Sequence, residues 1–400
     1  MAKLIFHADQ IADKAAFAAL CPFGAIEVSA DGRLDCNGAC RMCRQCIHKG
    51  PAGAVELLED APQVQVDKRH WRGILVYADH IEGEIHPVTY ELLGKASELG
   101  TAAGQPVYAL MIGNGIAYCA KELTHWGASK TLVYDHKALQ DFRLDVYTSA
   151  FVDAVHAIRP AAILVGATVT GRQLAPRVAA RLRTGLTADC TALHMEADAE
   201  LIQIRPAFGG NIMAQIVTPN HRPQMSTVRY KVMDAPPRSP VACGEVILRA
   251  LPDALLHSGV KVLSVTPRPQ EVGIENADVL VVAGRGIRKE NDLSLVRRLA
   301  SLLCGQVACT RPLVECGWMD ARRQVGLSGR TVRPKVIITC GVSGAIQFVA
   351  GMNRAQTIIA IDKDEQAPLF RTAHYGLVGD LYEILPALIA AIEANKEAGR

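Results

Sequence analysis

Three cysteines in one short run, Cys40-Arg41-Met42-Cys43-Arg44-Gln45-Cys46, carry the strongest chemical signal in this 400-residue sequence. Their C-x2-C-x2-C spacing brings three thiolates around one face of a cubane iron–sulfur cluster. Of twelve cysteines, five lie between Cys21 and Cys46. The other seven are scattered and read as small buried hydrophobes. The sequence reads as cytoplasmic, and disulfides do not persist in that compartment, so the clustered thiols need another purpose. A structural zinc ion is the alternative, since four cysteines also suit tetrahedral zinc. Zinc sites usually draw on two separated C-x2-C pairs instead.

A second feature surrounds the run. Gly50-Pro51-Ala52-Gly53-Ala54-Val55 echoes Cys21-Pro22-Phe23-Gly24-Ala25-Ile26, and the echo has no rationale in a zinc site. The repeat resembles bacterial two-cluster ferredoxins, in which the run continues as x3-C-P and that fourth cysteine ligates the other cluster. Here the first repeat keeps its fourth cysteine, Cys21, and lacks the other three. The second keeps its first three and has Gly50 in fourth place. The crossover rule then completes one [4Fe–4S] cluster from Cys21, Cys40, Cys43 and Cys46 and leaves the other site empty. Cys36 is left over.

The elements that must position a second site come later in the chain. Apolar runs at Ile74–Tyr77, 107–112, 131–134 and 161–165 read as buried strands of a parallel sheet. Amphipathic stretches at 90–99 and 117–126 are long enough for crossover helices. Less regular, proline-rich sequence follows from about 190 to 265, with strand-like runs at 201–205, 212–217 and 245–251. A second α/β unit then alternates strands at 279–283, 336–340 and 357–361 with helices at 292–303 and 345–352. Two of its strands run into glycine turns, Gly284-Arg285-Gly286 and Gly341-Val342-Ser343-Gly344. Glycines at strand-to-helix turns let backbone amides approach a pyrophosphate, although glycines end strands routinely and either turn alone is weak evidence.

Several ordered motifs make the resemblance specific. They are the runs 166–182 (GATVTGRQLAPRVAARL), 184–190 (TGLTADC), 205–212 (RPAFGGNI), 220–225 (NHRPQM), 341–347 (GVSGAIQ) and 375–381 (YGLVGDL). Over residues 70–385 the chain resembles the alpha subunit of electron transfer flavoproteins, and with its ferredoxin-like start it resembles the electron-bifurcating type. The resemblance implies a small ferredoxin-like α+β domain (1–66) followed by two Rossmann-like or flavodoxin-like α/β domains: one packing on a partner subunit (69–255) and one binding FAD (262–400). By that resemblance Arg285 lies beside the flavin or pyrophosphate, and Thr310 and Arg311 lie near the isoalloxazine. Gln324, Val325, Gly326, Leu327 and Ser328 form a loop under the ring, with the Ser328 hydroxyl able to bond N5. Ser343, Gly344, Ala345 and Ile346 cradle the pyrophosphate, beside Gln347. Asp380 and Leu381 face the adenosine half.

Three of these positions depart from the family pattern. Phe348 stands where the family usually has His, Leu327 where it has Gln, and Asp362 where it has Asn. Losing polar contacts to the ring implies a less stabilised anionic one-electron-reduced flavin. The runs 205–211 and 220–225 shape a partner interface or are simply turn and edge-strand residues.

The resemblance further implies a redox-carrier subunit rather than a stand-alone enzyme. Its partners would be a beta subunit, a flavin-dependent dehydrogenase, often of the acyl-CoA type, and ferredoxin, with the FAD domain swinging about a hinge at 240–268. A conventional carrier without bifurcation, or a nucleotide-binding interaction subunit with structural zinc, are the rivals. Composition narrows the remaining classes. With 43 basic against 40 acidic residues, the net charge of +3 offers no basic excess for nucleic acid or a membrane surface. No stretch reaches the ~18 apolar residues of a membrane span. Asp9, Asp13 and Lys14 interrupt what would be a signal-peptide core.

Overall fold

The computed structural model describes residues 3–29, 31–58, 66–210, 212–266 and 273–398. They fall into two compact units, Met1–Gln65 and Val66–Arg400.

The smaller unit runs strand–helix–strand twice: Lys3–Phe6, Lys14–Ala19 and Ile26–Val28, then Leu34–Cys36, Gln45–Lys49 and Val55–Leu58. The first and last strands pair antiparallel, Phe6 opposite Val55, and the middle two form a hairpin with Ile26 opposite Cys36. Asp13 starts the first helix by accepting from the amides of Ala15 and Ala16, both at 3.0 Å, which satisfies two otherwise orphaned donors. Phe17, Leu4, Ile11, Ile26, Leu34 and Val55 make the small core. So few buried side chains give only marginal stability, and natural domains below ~70 residues usually add a metal or covalent staple.

The packing also explains Gly50. A Cβ there would lie 2.5 Å from the Cys46 carbonyl oxygen and 2.7 Å from the Phe17 ring. Any side chain at position 50, a cysteine included, would require the Cys46 carbonyl or the Phe17 ring to shift.

The larger unit opens with a seven-stranded, all-parallel sheet. Its spatial order is Leu186–Cys190, Gln224–Val228, Ala162–Gly166, Ile74–Tyr77, Val107–Gly113, Lys130–Asp135 and Glu245–Leu248. Strands covered on both faces become continuous apolar runs. Helices Val88–Ala103, Leu144–Ile158 and Val169–Leu182 pack against it. A three-stranded antiparallel sheet, Ala192–Met195, Leu201–Ala207 and Ile212–Ile216, stands beside it.

Two expectations need correction here. The helix read at 117–126 is only Ala120–Thr124. The run 220–225, read as a partner interface or as turn and edge-strand residues, is largely interior: Arg222, Pro223, Gln224 and Met225 are buried, and Gln224–Val228 is an inner strand. Its polar side chains are satisfied inside, Arg222 by Glu200 at 3.1 Å and Gln224 by the Leu201 amide and the Ala199 carbonyl. An interior guanidinium needs its carboxylate, and that pairing across 22 residues is invisible to local pattern. Asn211, at the end of the run 205–211, lies outside the described residues, as do 267 and 268 of the hinge expected at 240–268.

The last sheet is parallel and five-stranded, in the order Gln306–Cys309, Val279–Ala283, Val336–Cys340, Thr357–Asp362 and Tyr375–Val378. Numbered along the chain this is 2-1-3-4-5, the flavodoxin-like order, whose switch point falls between its first and third strands. Helix Leu293–Leu302 packs on it, and the long helix Leu381–Ala398 closes the chain. The helix expected at 345–352 is a single turn, Ile346–Val349. Gly351 ends it by packing backbone to backbone against Gly326, where a Cβ would come within 2.6 Å.

The strap 229–234 passes between the two large sheets. Glu91, on helix Val88–Ala103, accepts from the Lys231 amide at 3.0 Å. Arg333 and Arg354 both pair with Asp234, and Tyr230 bonds Asn276. Glu91 is buried, and burial pushes its carboxyl up from 4.5 to about 7. A raised acid favours the fold fully below its unfolded value and loses that contribution as pH rises through the folded one. Glu91→Gln should therefore flatten the fall in melting temperature between about pH 5 and about pH 8. An unchanged slope in a thermal-melt series would refute that assignment.

Candidate functional site

The larger cavity lies at the carboxyl ends of strands Val279–Ala283 and Val336–Cys340, at the topological switch point, and holds about 890 Å³. That volume suits a dinucleotide-sized ligand. The two glycine turns meet there. The Gly284 amide donates to the Cys340 carbonyl and the Gly286 amide to that of Gly341, both at 2.9 Å. Gly341, with φ +65°, would place a Cβ 2.7 Å from the Gly286 Cα. Only glycine allows this approach, which leaves backbone and not side chains facing the ligand.

Arg285, Thr310, Arg311, Gln324, Val325, Gly326, Leu327, Ser328, Ser343, Gly344, Ala345, Gln347, Phe348, Asp362, Asp380 and Leu381 all line this cavity. Ile346 does not. It is 55% exposed, and its side chain reaches toward Gly210. Sequence reasoning missed Arg288 and Lys363 as lining residues. Arg288 gives no local signal: it is fixed from a distance, by Asp380 at 2.9 Å and by stacking on Tyr382.

The polar groups are arranged for an electron-rich ligand. Gln324 Nε2 donates to Ser328 Oγ at 2.7 Å, which leaves the hydroxyl proton free to point elsewhere. Thr310 Oγ1 is buried without a hydrogen-bond partner, although Thr310 lines the cavity. Arg311 pairs with Glu315 one helical turn on, at 2.8 Å, yet remains well exposed on the cavity edge. Phe348 is 6% exposed and packs into the core beneath.

A second, small cavity lies in the N-terminal unit. Cys21, Cys36, Cys40, Cys43 and Cys46 all line it, with Phe23, Arg41 and Arg44. The left-over cysteine thus belongs with the other four. The hairpin brings it there: Cys36 stands opposite Ile26, and the Asn37 amide bonds the Ala25 carbonyl at 2.9 Å. The loop bends through left-handed backbone at Met42 and Arg44, φ 50° and 61°, a strain on the order of 1–3 kcal/mol per residue that persists where surroundings demand it.

Backbone amides, first that of Ala25 at 3.4 Å, hold the Cys21 thiol below its usual pKa. Burial pushes Cys36 to about 12, and raises Cys46 as well. Among the described residues no group of three or more His, Cys, Asp or Glu side chains is placed to hold a metal ion. Of the other seven cysteines, Cys190, Cys309 and Cys340 are buried as expected, but Cys243, Cys304 and Cys316 are exposed.

Taken together, fold and cavity define a protein of the doubly wound α/β class with room for a dinucleotide-sized ligand at its switch point. Residues 74–254 match the electron transfer flavoprotein domain and residues 273–353 the electron transfer flavoprotein FAD-binding domain. The chain belongs to the electron transfer flavoprotein family, as an alpha subunit. It is 51% identical over 378 residues to the lactate dehydrogenase (NAD(+),ferredoxin) subunit LctC of Acetobacterium woodii, covering 94% of this chain and 90% of that one. It is 43% identical to the electron transfer flavoprotein subunit alpha of Megasphaera elsdenii, over 83% of this chain and 99% of the relative. Protein FixB of Azorhizobium caulinodans is 39% identical, over 81% and 89%. Among the described residues no helix is long and apolar enough to cross a membrane.

Proposed function

We propose that this alpha subunit carries one [4Fe–4S] cluster besides its FAD, and that it moves electrons between a beta subunit and a flavin-dependent dehydrogenase in a bifurcating complex that reduces ferredoxin from NADH. The observation that carries the reading is the set of five thiols around one cavity in a unit whose strand–helix–strand pattern occurs twice. Thiols spaced around a cavity suit a cube, whose irons take one thiolate each, better than a single zinc ion. Cys21, Cys40, Cys43 and Cys46 would hold it. Small size gives the unit a reason to depend on the cluster for stability.

The Acetobacterium relative's name bears on the dehydrogenase partner. Its match extends over 94% of this chain, and its name points to a 2-hydroxy acid dehydrogenase as partner in preference to an acyl-CoA one. Bound FAD exchanges electrons one or two at a time and the cluster one at a time. This chain's residues set the terms. Arg311 supplies a fixed positive charge beside the ring. Ser328, held by Gln324, offers its hydroxyl to N5. Ser343, Gly344 and Ala345 take the pyrophosphate, the Gly284, Gly286 and Gly341 amides being bonded to backbone carbonyls, and Phe348 keeps water from the ring. Because Phe348 offers no proton where the family has His, Phe348→His should raise the yield of the anionic one-electron-reduced state in a reductive titration. An unchanged yield would dispose of that role.

The function is tested on the complex purified without oxygen with its beta subunit and dehydrogenase. Ferredoxin should be reduced only when NADH and the dehydrogenase's acceptor are both present. Reduction independent of the acceptor would leave a conventional carrier.

A further inference from the structure

The residues that line the cavity all belong to the FAD-binding domain, but one of its loops is held from outside that domain. Leu327, in the loop Gln324–Ser328, is held from outside by Arg229, which follows strand Gln224–Val228, and by Gly210, between strands Leu201–Ala207 and Ile212–Ile216. The Leu327 carbonyl accepts from Arg229 Nη2 at 2.8 Å, across 98 positions of sequence. Its side chain meets Gly210, where an added Cβ would come within 2.6 Å of Leu327 Cδ1. The loop's own backbone supplies the rest: the Leu327 amide donates to the Gln347 carbonyl at 2.8 Å and the Val325 amide to that of Cys309 at 3.0 Å.

Arg229 is unusual for a residue at that task. Its side chain is only 13% exposed, with Asp189 at 3.5 Å. Asp189 also pairs with Arg172, at 3.1 Å. One carboxylate is thus shared between two guanidiniums, and the buried Nε of Arg229 has no partner. A guanidinium kept inside at that cost, and donating to a loop carbonyl of another domain, is poorly explained by fold stability alone.

We propose that Arg229 is a positioning residue for the flavin site. By holding the Leu327 carbonyl it fixes the loop, and with it the Ser328 hydroxyl one residue on, so that the potential of the bound flavin depends on contact with the N-terminal α/β domain. The proposal rests on the reading that Ser328 faces the flavin N5. A donor aimed at N5 stabilises reduced flavin, and a loosened loop loses it.

The test uses the full chain loaded with FAD, the flavin midpoint potential being read by spectroelectrochemical titration. Arg229→Ala should shift the midpoint to more negative values, and Arg229→Lys, which keeps a charged donor, should restore most of it. In a Ser328→Ala background the same Arg229→Ala change should produce little shift, because its route is gone. No shift at all, or equal shifts in both backgrounds as a bare charge effect would give, overturns the proposal. Should Arg229→Ala fail to fold by circular dichroism, Gly210→Ala presses the same loop from the Leu327 side chain. It should shift the midpoint only when Ser328 is present, and an unchanged midpoint there overturns the proposal equally. Flavin content separates the two levels: wild-type chain that takes up no FAD refutes the site reading, whereas bound FAD with an unmoved potential refutes Arg229.

Discussion

Cys43→Ser should empty the N-terminal unit of iron. Protein purified without oxygen is expected to carry about four iron atoms per chain, and the variant almost none. The reason lies in geometry and ligand chemistry. Cys40, Cys43 and Cys46 come from one short run of backbone bent through left-handed conformations at Met42 and Arg44, and serine offers a poorer ligand than thiolate at the lost corner of a cube. The small core gives the loss a second readout. A unit built on Leu4, Phe17, Ile26 and Val55 has little stability to spare, and limited proteolysis should release Met1–Gln65 from the variant before the wild type. Cys36 sharpens the test, since it lines the same cavity without belonging to the crossover set. Cys36→Ser should keep its iron and Cys21→Ser should lose it. The reverse pair of results would move the fourth ligand to Cys36, and one zinc per chain in place of iron would end the cluster reading.

That Cys36 needed the structure, while the other four did not, shows what local sequence can carry. A C-x2-C-x2-C run and a six-residue echo are encoded in neighbouring positions. The place of Cys36 depends on hairpin register, Ile26 against Cys36, and register is set by packing between segments. The same division runs through the fold. Strands such as Ile74–Tyr77 and Val336–Cys340 announce themselves because burial on both faces leaves few polar positions, Thr339 being the one in these two. Gln224–Val228, equally buried, does not, because it carries Gln224, Ser226 and Thr227, of which Gln224 and Thr227 are bonded by partners far along the chain. In the flavin cavity the glycine turns are legible as glycines, but Arg288 and Arg229 are ordinary polar residues until Asp380 and Leu327 are brought to them. The helix expected at 345–352 shrank for a related reason: Gly351, just past its end, packs backbone to backbone against Gly326.

Gly284→Ala should cost the chain its flavin with little change in composition or charge. The new Cβ would lie 2.1 Å from the Gly341 carbonyl oxygen and 2.6 Å from Val342 Cγ2, well inside van der Waals contact. The clash is with backbone, so no rotamer relieves it, and one of the two turns has to move. Both line the cavity or carry residues that do, from Arg285 and Gly286 on one side to Ser343 and Gly344 on the other. Overpacking of this kind costs about 1–3 kcal/mol. If the strain is released by displacing the turns, the cost falls on ligand binding, and each ~1.4 kcal/mol there is tenfold in affinity. FAD affinity should fall by about 10- to 100-fold, with a smaller drop in the melting temperature of the unloaded chain. Gly259→Ala, at a position with nothing within 4 Å of an added Cβ, should leave both unchanged. Wild-type FAD affinity in Gly284→Ala, read by fluorescence titration, would mean that the switch-point turns do not hold the flavin's phosphates.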